Sequence, residues 1–401
     1  MLLFLRMVQK MTTFFEFVRS RSAEIIDPRS LEKKLSRSPK LRVKLGIDAN
    51  KPDLHLGHVV TLRMVKAFQD AGHRVVLIIG DFTGMIGDPS GRTTVRTQLA
   101  EREVKKNERT YLAQFGRVLN LKKTEIRHNS EWYRSMKLID FLGLLSEFSL
   151  KSAWEREDFQ KRLQSGKPVQ MNEAMYHVLQ GYDSVMVRAD IEIGAVDQRL
   201  NILAGRELQA RLGETPQDIV LVPYLIGLDG RQKMSKSLGN TINLTDSADE
   251  MFGKVMSIPD VCIINYAELA AWMLPPEVQL MERRLKKENP RDVKLDLAEA
   301  ITALYQGATK AERAREAFIQ TFSKGNALAA AVSRKLAPGH YRALELVELL
   351  GVVHSKSEAR RLLTGRAVEV DGRVIAPSDG SIPVERGSII RIGKKTFFRV
   401  V

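Results

Sequence analysis

The chain has 401 residues, enough for two or three domains that each bury their own core. Its composition, 44% hydrophobic and 28% charged, is that of a folded globular protein, and no stretch approaches the roughly 20 apolar residues of a membrane span. The net charge of +15 favours a polyanionic partner, although a basic surface without a partner is the alternative. Because the single cysteine, Cys262, has no second cysteine to pair with, a reducing compartment and a cytoplasmic protein are predicted.

The first half of the chain has the pattern of a parallel α/β sheet. Residues 41–47 predict a buried strand, and residues 55–71 predict a helix that ends before Gly72. Residues 74–80 predict a second strand, and the continuous apolar run after Arg74 is typical of a strand covered on both faces. A further apolar run at 219–227 predicts a strand from the second half of the same sheet. The sequence therefore predicts a doubly wound, Rossmann-like α/β domain.

The remaining patterns divide the chain into segments. A helical extension is predicted at 1–40, followed by the sheet domain at 41–246, which carries a helical insertion at about 92–166. The pattern is again helical over 247–336, and an Ala-Pro-Gly sequence then breaks the chain. The last segment, 337–401, begins with a helical pattern and ends in short strands and glycine-rich turns, which predicts a small α+β domain.

A His-Leu-Gly-His sequence stands at 55–58, where the first predicted strand gives way to a helix. At that edge of a parallel sheet, free backbone N–H groups and the helix dipole attract phosphate. His55 and His58 can hydrogen-bond a nucleotide phosphate, and Gly57 lets a ribose or an adenine approach the backbone. Taken alone, these four residues are more simply a helix start with two surface histidines.

A second short motif, Lys-Met-Ser-Lys-Ser, occupies 233–237 between two glycines, which predicts a mobile loop. Lys233 and Lys236 are suited to neutralise the charge that develops on pyrophosphate when ATP is cleaved. A solvated basic loop is the alternative for this motif alone.

Together, the two motifs resemble the paired signatures of class I aminoacyl-tRNA synthetases in their order and separation. The resemblance implies that an amino acid carboxylate attacks the α-phosphate of ATP, that pyrophosphate leaves, and that the aminoacyl group then passes to a tRNA. In this family the two histidines would contact the phosphates in the transition state, and the two lysines would hold the leaving pyrophosphate. Mg²⁺ would accompany ATP as it binds, although the sequence shows no dedicated cluster of metal ligands. The implied ATP-binding residues are Gly46, Asp48, His55, Gly57, His58, Lys233, Met234, Ser235, Lys236 and Ser237.

Two loops resemble those of the tyrosyl-tRNA synthetases within this class. Gly-Asp-Pro-Ser-Gly at 87–91 is similar to the loop whose aspartate, here Asp88, contacts the ammonium group of the substrate. Read alone, that sequence is simply a good turn. The sequence Gly-Ala-Val-Asp-Gln at 194–198 is similar to the family element that places a glutamine, here Gln198, near the substrate.

A helical stripe carries the rest of this resemblance. Tyr176, Gln180 and Asp183 stand at i, i+4 and i+7 and so face the same side of one helix. The family places the first two at the amino end of tyrosine and Asp183 at its hydroxyl. Because phenylalanine would leave the Asp183 carboxylate unpaired in a buried site, such a pocket would select tyrosine. Lys44 stands where many members carry a tyrosine that makes a second contact to the phenol, although one branch has lysine there.

The C-terminal segment resembles an S4 RNA-binding domain. The resemblance rests on Ser-Lys-Ser-Glu-Ala-Arg-Arg-Leu-Leu at 355–363, followed by Val-Glu-Val-Asp-Gly at 368–372. Arg360 and Arg361 are expected where the helix turns toward a strand, in a position to contact RNA phosphates. A small basic domain with surface arginines is the alternative. By the same resemblance, the helical segment at 247–336 would be an anticodon-binding region.

These resemblances imply an enzyme that joins L-tyrosine to tRNA(Tyr) at the expense of ATP and acts as a homodimer. The insertion at 92–166 is the expected contact between subunits, and no association with membranes is expected. A tryptophan-specific relative is the alternative enzyme, against which the S4-like segment and Asp183 argue. The other alternative is an inactive paralogue that serves as an RNA-binding module. The retention of both histidines and both lysines argues against that alternative.

Overall fold

In the computed structural model of the chain, a six-stranded sheet forms the centre of the first half. Its strands are β1 (Glu24–Ile26), β2 (Arg42–Asp48), β3 (Arg74–Gly80), β4 (Thr124–His128), β5 (Ile191–Ala195) and β6 (Asp218–Val222). Their order in the sheet is β1-β6-β5-β2-β3-β4, and every neighbouring pair is parallel except the edge pair of β1 and β6. The chain therefore builds the sheet outward from β2 to β4 and then returns to the other side of β2. This confirms the predicted doubly wound, Rossmann-like domain and opens a crevice at the carboxyl ends of β2 and β5.

The chain forms two compact units, Met1–Ala308 and Thr309–Val401. The residues that the structure describes are 13–37, 40–49, 52–90, 100–151, 156–323, 332–334, 336–353, 355–393 and 396–401. None of the helices in these ranges is long and apolar enough to cross a membrane.

The central strands follow the apolar pattern of the sequence. β3 covers the predicted run 74–80, and every side chain after its first residue is buried. In β2, Val43 and Leu45 are buried, and the strand starts and ends one residue later than predicted. β6 is shorter than the predicted run 219–227 because Pro223, which has no N–H to donate to a neighbouring strand, follows its last residue.

Helices connect the strands of the first unit and pack against them. Within the described residues they are α1 (Phe14–Ser20), α2 (Pro28–Arg37), α3 (Leu56–Asp70), α4 (Thr83–Ile86), α5 (Glu101–Phe115), α6 (Ser130–Tyr133), α7 (Leu138–Ser146), α8 (Glu157–Gln164), α9 (Met171–Met186), α10 (Arg199–Arg211), α11 (Ala248–Met256), α12 (Ile263–Leu269), α13 (Pro275–Leu285) and α14 (Pro290–Gln306). The predicted helix at 55–71 is α3, which packs against β2, β3 and β5.

Close packing of α9 against α10 requires a glycine at position 181. A Cβ atom on Gly181 would lie 3.0 Å from the backbone carbonyl carbon of Ala204. Glycine therefore permits an approach of the two helices that a side chain would obstruct. Because α9 carries Tyr176, Gln180 and Asp183, this contact fixes the helix of the predicted tyrosine-binding stripe.

Two segments predicted to be helical also contribute strands to the sheet. The stretch at 92–166 contains α5 to α8, but β4 lies within it and pairs in parallel with β3. The five residues of β4 are all partly exposed and lack the apolar run of a central strand, so the sequence gives little signal for them. The described part of the N-terminal extension contains α1 and α2 and also β1 at the opposite edge of the sheet.

The second unit is a small α+β structure. Its elements are α15 (Ala308–Ser323, which begins at the end of the first unit), β7 (Val332–Arg334), β8 (Gly339–Tyr341), α16 (Ala343–Leu349), α17 (Lys356–Thr364), β9 (Val368–Val370), β10 (Arg373–Val374), β11 (Ile382–Val384), β12 (Ile389–Ile392) and β13 (Thr396–Val400). The strands form a five-stranded sheet, β10-β9-β12-β13-β7, and a two-stranded sheet, β11-β8. Its core includes Leu346, Val347, Leu363, Val368, Ile390 and Phe398. β7 lies inside the stretch predicted to be helical up to residue 336 and pairs in parallel with β13.

Candidate active site

A cavity of about 310 Å³ opens at the carboxyl ends of β2, β3, β5 and β6. This is the position where doubly wound sheets bind ligands, and the volume is at the lower end of the range for small-molecule sites. Of the residues predicted to bind ATP or tyrosine, those that line it are Gly46, Asp48, His55, Gly57, His58, Asp88, Tyr176, Gln180, Asp183, Gln198, Lys233, Met234 and Ser235. Lys236 and Ser237 are not among the lining residues. The structure thus brings residues from five separate segments of the sequence into one cavity.

The rings of the two histidines of the first motif lie against each other, tilted by 37°, at the N-terminus of α3. Their ring centroids lie 3.8 Å apart, and the backbone N–H of His55 donates to Nδ1 of His58 over 3.2 Å. Burial and the positive charge of Lys236 lower the pKa of His58 to about 4, so the ring is neutral at pH 7. Since Nδ1 accepts a hydrogen bond, the proton of the neutral ring is on Nε2, which is left as a donor.

Gly57 is required by the close packing of this pair. A Cβ atom at this position would lie 2.9 Å from Nδ1 of His55 and 3.5 Å from Cβ of Met234. Any side chain would therefore displace the His55 ring, and glycine keeps the start of the helix open toward the second motif.

The second motif begins on a short hairpin beside the cavity. Met234 N–H donates to the carbonyl of Leu225 over 2.8 Å, and Lys233 Nζ donates to Oδ2 of Asp197 over 2.7 Å. The same ammonium lies 5.3 Å from the centre of the Tyr224 ring. These contacts hold the Lys233 side chain at the cavity, beside the carboxylate of Asp197.

The buried side chain of Asn240 ties the loop to its neighbours. Its Oδ1 accepts from the backbone N–H of Ser235 at 2.8 Å, and its Nδ2 donates to the carbonyl of Lys233 at 3.2 Å and to Oδ2 of Asp229 at 2.6 Å. The loop that the glycine spacing predicts to be mobile therefore has a defined set of hydrogen bonds here. Lys236 begins the short 3-10 helix Lys236–Leu238 outside the cavity lining. Its charge still acts on His58, whose pKa it lowers.

At the carboxyl end of β2, Asp48, which was predicted to bind ATP, contacts a residue that was predicted to bind tyrosine. Tyr176 donates its hydroxyl to Oδ2 of Asp48 over 2.9 Å, and Thr83 donates to Oδ1 over 2.8 Å. Burial and the negative charge of Asp48 raise the pKa of Tyr176, which therefore remains a neutral donor. Asp48 was predicted to bind ATP and Tyr176 to bind tyrosine, so the hydrogen bond between them joins the predicted ATP-binding residues to the predicted tyrosine-binding residues.

A second pair of the predicted residues is in direct contact. Gln198 donates its amide to Oδ2 of Asp88 over 2.7 Å, and Asn201 donates to Oδ1 over 3.3 Å. The loop around Asp88 is therefore held against the start of α10, as expected if both residues contact one substrate.

Asp183 lies at a buried end of the cavity with two donors that the sequence did not suggest. Trp132 Nε1 donates to its Oδ1 over 2.9 Å, and Asn129 Nδ2 donates to its Oδ2 over 3.3 Å. Burial raises the pKa of Asp183 to about 7, and the nearby positive charge of Lys44 opposes that shift. The carboxylate is thus poised between its charged and neutral forms near pH 7, in a site where an unpaired charge is costly.

Some functional neighbours were missed because they are distant in sequence. Asn129 and Trp132 follow β4, which has no clear strand pattern, so nothing in the sequence placed them beside Asp183. Glu192, which lines the cavity from β5, had a usable signal as a charged residue inside an apolar run. Lys44 in β2 has the same signal, and its side chain does not line the cavity.

In the second unit, Arg360 and Arg361 are exposed residues of α17. The helix continues to Thr364 and β9 begins at Val368, so both arginines lie before the turn at which they were expected. Their exposure leaves the guanidinium groups accessible to a phosphate backbone.

Comparison with known proteins agrees with this geometry. The family of class I tRNA synthetases specific for tryptophan and tyrosine matches residues 36–323. A tyrosine–tRNA ligase of Thermotoga maritima is 40% identical over 396 residues, which is 96% of this chain and 96% of the relative. A tyrosine–tRNA ligase of Dehalococcoides mccartyi is 43% identical, covering 94% of this chain and 96% of the relative.

Solved structures share the fold at lower sequence identity. A tyrosyl-tRNA synthetase of Archaeoglobus fulgidus, in complex with L-tyrosine, superposes with a TM-score of 0.63 at 21% identity, over 75% of this chain and 98% of that one. A C-terminally truncated mitochondrial tyrosyl-tRNA synthetase of Aspergillus nidulans superposes with a TM-score of 0.65 at 19% identity, over 80% of this chain and 97% of that one. With the paired motifs on one cavity and relatives aligned over nearly their whole length, the chain belongs to the class I tRNA synthetases of the tryptophan and tyrosine family, within the tyrosine–tRNA ligase group.

Proposed function

We propose that the cavity of the first unit is the site at which this chain activates L-tyrosine with ATP. In the first step, a carboxylate oxygen of tyrosine attacks the α-phosphorus, the bond to the bridging oxygen of pyrophosphate breaks, and tyrosyl-adenylate forms. In the second step, a hydroxyl of the terminal ribose of tRNA(Tyr) attacks the tyrosyl carbonyl and AMP leaves. The observation that carries this proposal is that the histidine pair, Lys233 and Asp183 share one cavity at the switch point of the sheet.

Joining tyrosine to its tRNA is the activity of this chain. It is 40–43% identical, over more than nine-tenths of its length, to bacterial tyrosine–tRNA ligases. These relatives favour tyrosine over tryptophan as the substrate. The presence of both histidines and Lys233 at the cavity supports an active enzyme rather than an inactive RNA-binding paralogue.

The proposed roles at the ATP end follow from charge and geometry. Nε2–H of His58 is the donor suited to a phosphate oxygen, and the His55 ring lies beside it with the two ring centroids 3.8 Å apart. Lys233 would leave Asp197 for the pyrophosphate, where its charge offsets the negative charge that grows as the bond breaks. In this structure Lys236 is outside the cavity lining. A movement of the loop would therefore be needed for Lys236 to join Lys233 at the pyrophosphate. Gly46, Asp48 and Gly57 form the wall that ATP would approach, with Met234, Ser235 and Ser237 on the loop side.

The proposed tyrosine site uses the other predicted residues that line the cavity. Asp88, Tyr176, Gln180 and Gln198 would bind the amino end of tyrosine, and Asp183 would accept a hydrogen bond from its phenol. The buried position of Asp183 and its two fixed donors support a role in reading that hydroxyl.

Magnesium would enter with ATP in this proposal. The part of the chain that the structure describes contains no group of three or more His, Cys, Asp or Glu side chains placed to hold a metal ion.

For tRNA binding, we propose that the helical region at 247–336 contacts the anticodon and that the 337–401 segment grips the backbone through Arg360 and Arg361. Both arginines are exposed, and the net charge of the chain is +15. A tRNA substrate also supports a cytoplasmic location, where the reduced state of Cys262 would persist.

Replacing both arginines, Arg360→Ala and Arg361→Ala, should weaken tRNA(Tyr) binding and flatten its dependence on salt. Each lost phosphate contact should reduce the slope of log affinity against log salt concentration by about 0.7 to 0.9. Filter binding over a range of salt concentrations measures this slope, with the exposed Arg211→Ala as the matched control in the first unit. An unchanged slope in the double variant would contradict an RNA grip at α17.

We also propose that the chain is a homodimer that buries the apolar face of α7. Leu138, Ile139 and Leu142 are 73%, 70% and 51% exposed, while the other side of the helix packs into its own unit through Leu144. A cluster of exposed apolar side chains of this kind is typical of a protein interface.

The double variant Leu138→Lys, Leu142→Lys should convert the dimer to a monomer of 45.2 kDa in sedimentation velocity. Lysine places a charge that would have to be desolvated in the interface. Leu280→Lys is the matched control, because that leucine is 52% exposed on α13 in another part of the unit. A dimer that persists in the double variant, or is lost equally in the control, would place the contact elsewhere.

The proposed function is tested by exchange of labelled pyrophosphate into ATP. The chain should catalyse exchange that depends on tyrosine, and neither phenylalanine nor tryptophan should replace it at equal concentration.

A further inference from the structure

A lysine lies completely buried beneath the proposed tyrosine site. Lys44 is in the middle of β2 and is 0% exposed. Its side chain does not line the cavity, although its neighbours Leu45 and Gly46 do. A buried ammonium needs partners for its charge and for its three N–H donors.

Lys44 has one acceptor for each of its three donors. Nζ lies 2.9 Å from Oε1 of Glu192, 2.6 Å from Oγ of Ser184 and 3.0 Å from the backbone carbonyl of Gln180. With all three donors used within the protein, Lys44 has no hydrogen left for the phenol of a substrate. It therefore does not replace the direct phenol contact made by the tyrosine that many family members carry at this position.

Glu192 is equally well satisfied from the other side. It is 1% exposed, and its Oε2 accepts from the Ser184 hydroxyl at 2.9 Å and from Nε2 of Gln217 at 2.6 Å. A buried ion pair is stable only when such additional hydrogen bonds complete it, and this pair meets that condition. Removing either partner would leave the other charged and buried.

Two of the three partners of Lys44 lie on the helix that carries the proposed tyrosine-binding stripe. Gln180 and Ser184 are one turn apart on α9, and Asp183 lies between them. Lys44 Nζ donates to the carbonyl of Gln180 and to the hydroxyl of Ser184, so one ammonium spans the turn of α9 that contains Asp183. Glu192 also faces the stripe, because Nε2 of Gln180 lies 3.5 Å from its Oε1. The pair thus ties β2 and β5 to the turn of α9 that faces the cavity.

We propose that the buried Lys44–Glu192 pair positions Gln180 and Asp183 for the substrate and thereby sets the affinity and selectivity of the pocket for tyrosine. Lys44 is a positioning residue in this proposal, since it acts through α9 and does not touch the amino acid. The proposal rests on the proposed function, because it concerns the same tyrosine site.

Three full-length variants test the pair: Lys44→Met, Glu192→Gln and the double variant. Binding of tyrosine and of phenylalanine, measured by calorimetry without ATP, reports on the site independently of turnover. A displacement of substrate-contacting groups by about 1 Å can reduce activity by roughly a hundredfold. Lys44→Met should therefore weaken tyrosine binding by about ten- to a hundredfold. Its effect on phenylalanine binding should be smaller, because phenylalanine makes no hydrogen bond to Asp183. The KM for ATP should change by less than about twofold, since uniform binding of ATP is left intact.

The double variant separates positioning from stability. It removes both charges, so its melting temperature should return toward that of the parent, because no buried charge is left unpaired. Its affinity for tyrosine should remain low, since the ties from Lys44 to α9 are absent. Recovery of both properties in the double variant would reduce the pair to a structural role and overturn the proposal.

A second buried ion pair, between Arg162 on α8 and Glu173 on α9, provides the matched control. Arg162 and Glu173 are 1% and 3% exposed, lie 2.9 Å apart and do not line the cavity. Arg162→Met should lower the melting temperature and leave the preference for tyrosine over phenylalanine unchanged. An equal loss of preference in this control, or tyrosine binding unaltered in folded Lys44→Met, would overturn the proposal. A parent chain that binds tyrosine but fails to exchange pyrophosphate would contradict the proposed activity, while the binding comparison would still decide the role of the pair.

Discussion

Lys233→Ala is expected to slow formation of tyrosyl-adenylate by about a hundredfold, the effect of roughly 3 kcal/mol that follows loss of one preorganised charge partner. The lysine lies at the cavity and is proposed to meet charge that is present mainly in the transition state. The loss should therefore appear in turnover, while the affinity for tyrosine stays close to that of the parent. Lys236→Ala should also reduce turnover, although its side chain must first move into the site. Pre-steady-state exchange kinetics with separate titrations of ATP and tyrosine measure these quantities.

Lys254 supplies the matched control for this prediction. Its Nζ pairs with Oδ2 of Asp246 at 2.6 Å, much as Lys233 pairs with Asp197 at 2.7 Å, but it does not line the cavity. Lys254→Ala should therefore leave adenylate formation near the parent rate. Normal exchange rates in both Lys233→Ala and Lys236→Ala would remove the second motif from the chemistry.

Asp183→Asn is expected to reduce the preference for tyrosine over phenylalanine by roughly thirtyfold, or about 2 kcal/mol. In the proposed site, phenylalanine leaves the buried carboxylate without the hydrogen bond from a phenol, which costs more than leaving a neutral amide without it. The ratio of kcat/KM for the two amino acids measures the change. An unaltered preference in a folded variant would show that another residue reads the hydroxyl.

The same residue predicts a dependence of tyrosine binding on pH. Burial raises the pKa of Asp183 to about 7, so the carboxyl is mostly neutral at pH 6 and mostly charged at pH 8. The charged form is the better acceptor for the phenol, so affinity should increase with pH, by about tenfold from pH 6 to pH 8 if only the ionised form binds. The groups facing it are Lys44, Asn129, Trp132 and Tyr133. The dependence should disappear in Asp183→Asn, and a flat profile in the parent would contradict this role.

The sequence predicted the central strands and the first crossover helix because each has an uninterrupted pattern. β3 is apolar after its first residue, and α3 begins directly after His55 and ends just before Gly72. β4 was missed because a short, partly exposed edge strand lacks that pattern. The strand predicted at 219–227 ended early because one proline stops the ladder inside an apolar run.

The candidate site was predictable where a motif is local, and less so where partners are remote. The histidine pair and Lys233 could be placed from short motifs, and helical spacing placed Tyr176, Gln180 and Asp183 on one face. Contacts between distant segments have no such periodicity. Trp132 and Asp183, which are hydrogen-bonded, are 51 residues apart in the sequence. Lys44 and Glu192, which form the buried ion pair, are 148 residues apart. The local signal that the sequence offers for this pair is a charged residue between apolar neighbours in each of two strands, which does not identify the partner.

The most direct test of the central claim is pyrophosphate exchange measured on the parent chain with tyrosine, tryptophan and phenylalanine in parallel. The labelled pyrophosphate should enter ATP only when an amino acid is activated, so the rate reports on the cavity independently of tRNA. We expect rapid exchange with tyrosine and rates near background with the other two amino acids, and we expect Lys233→Ala to lose most of the signal. Exchange driven better by tryptophan, or no exchange with any of the three from a folded protein, would contradict the assignment of this cavity to tyrosine activation.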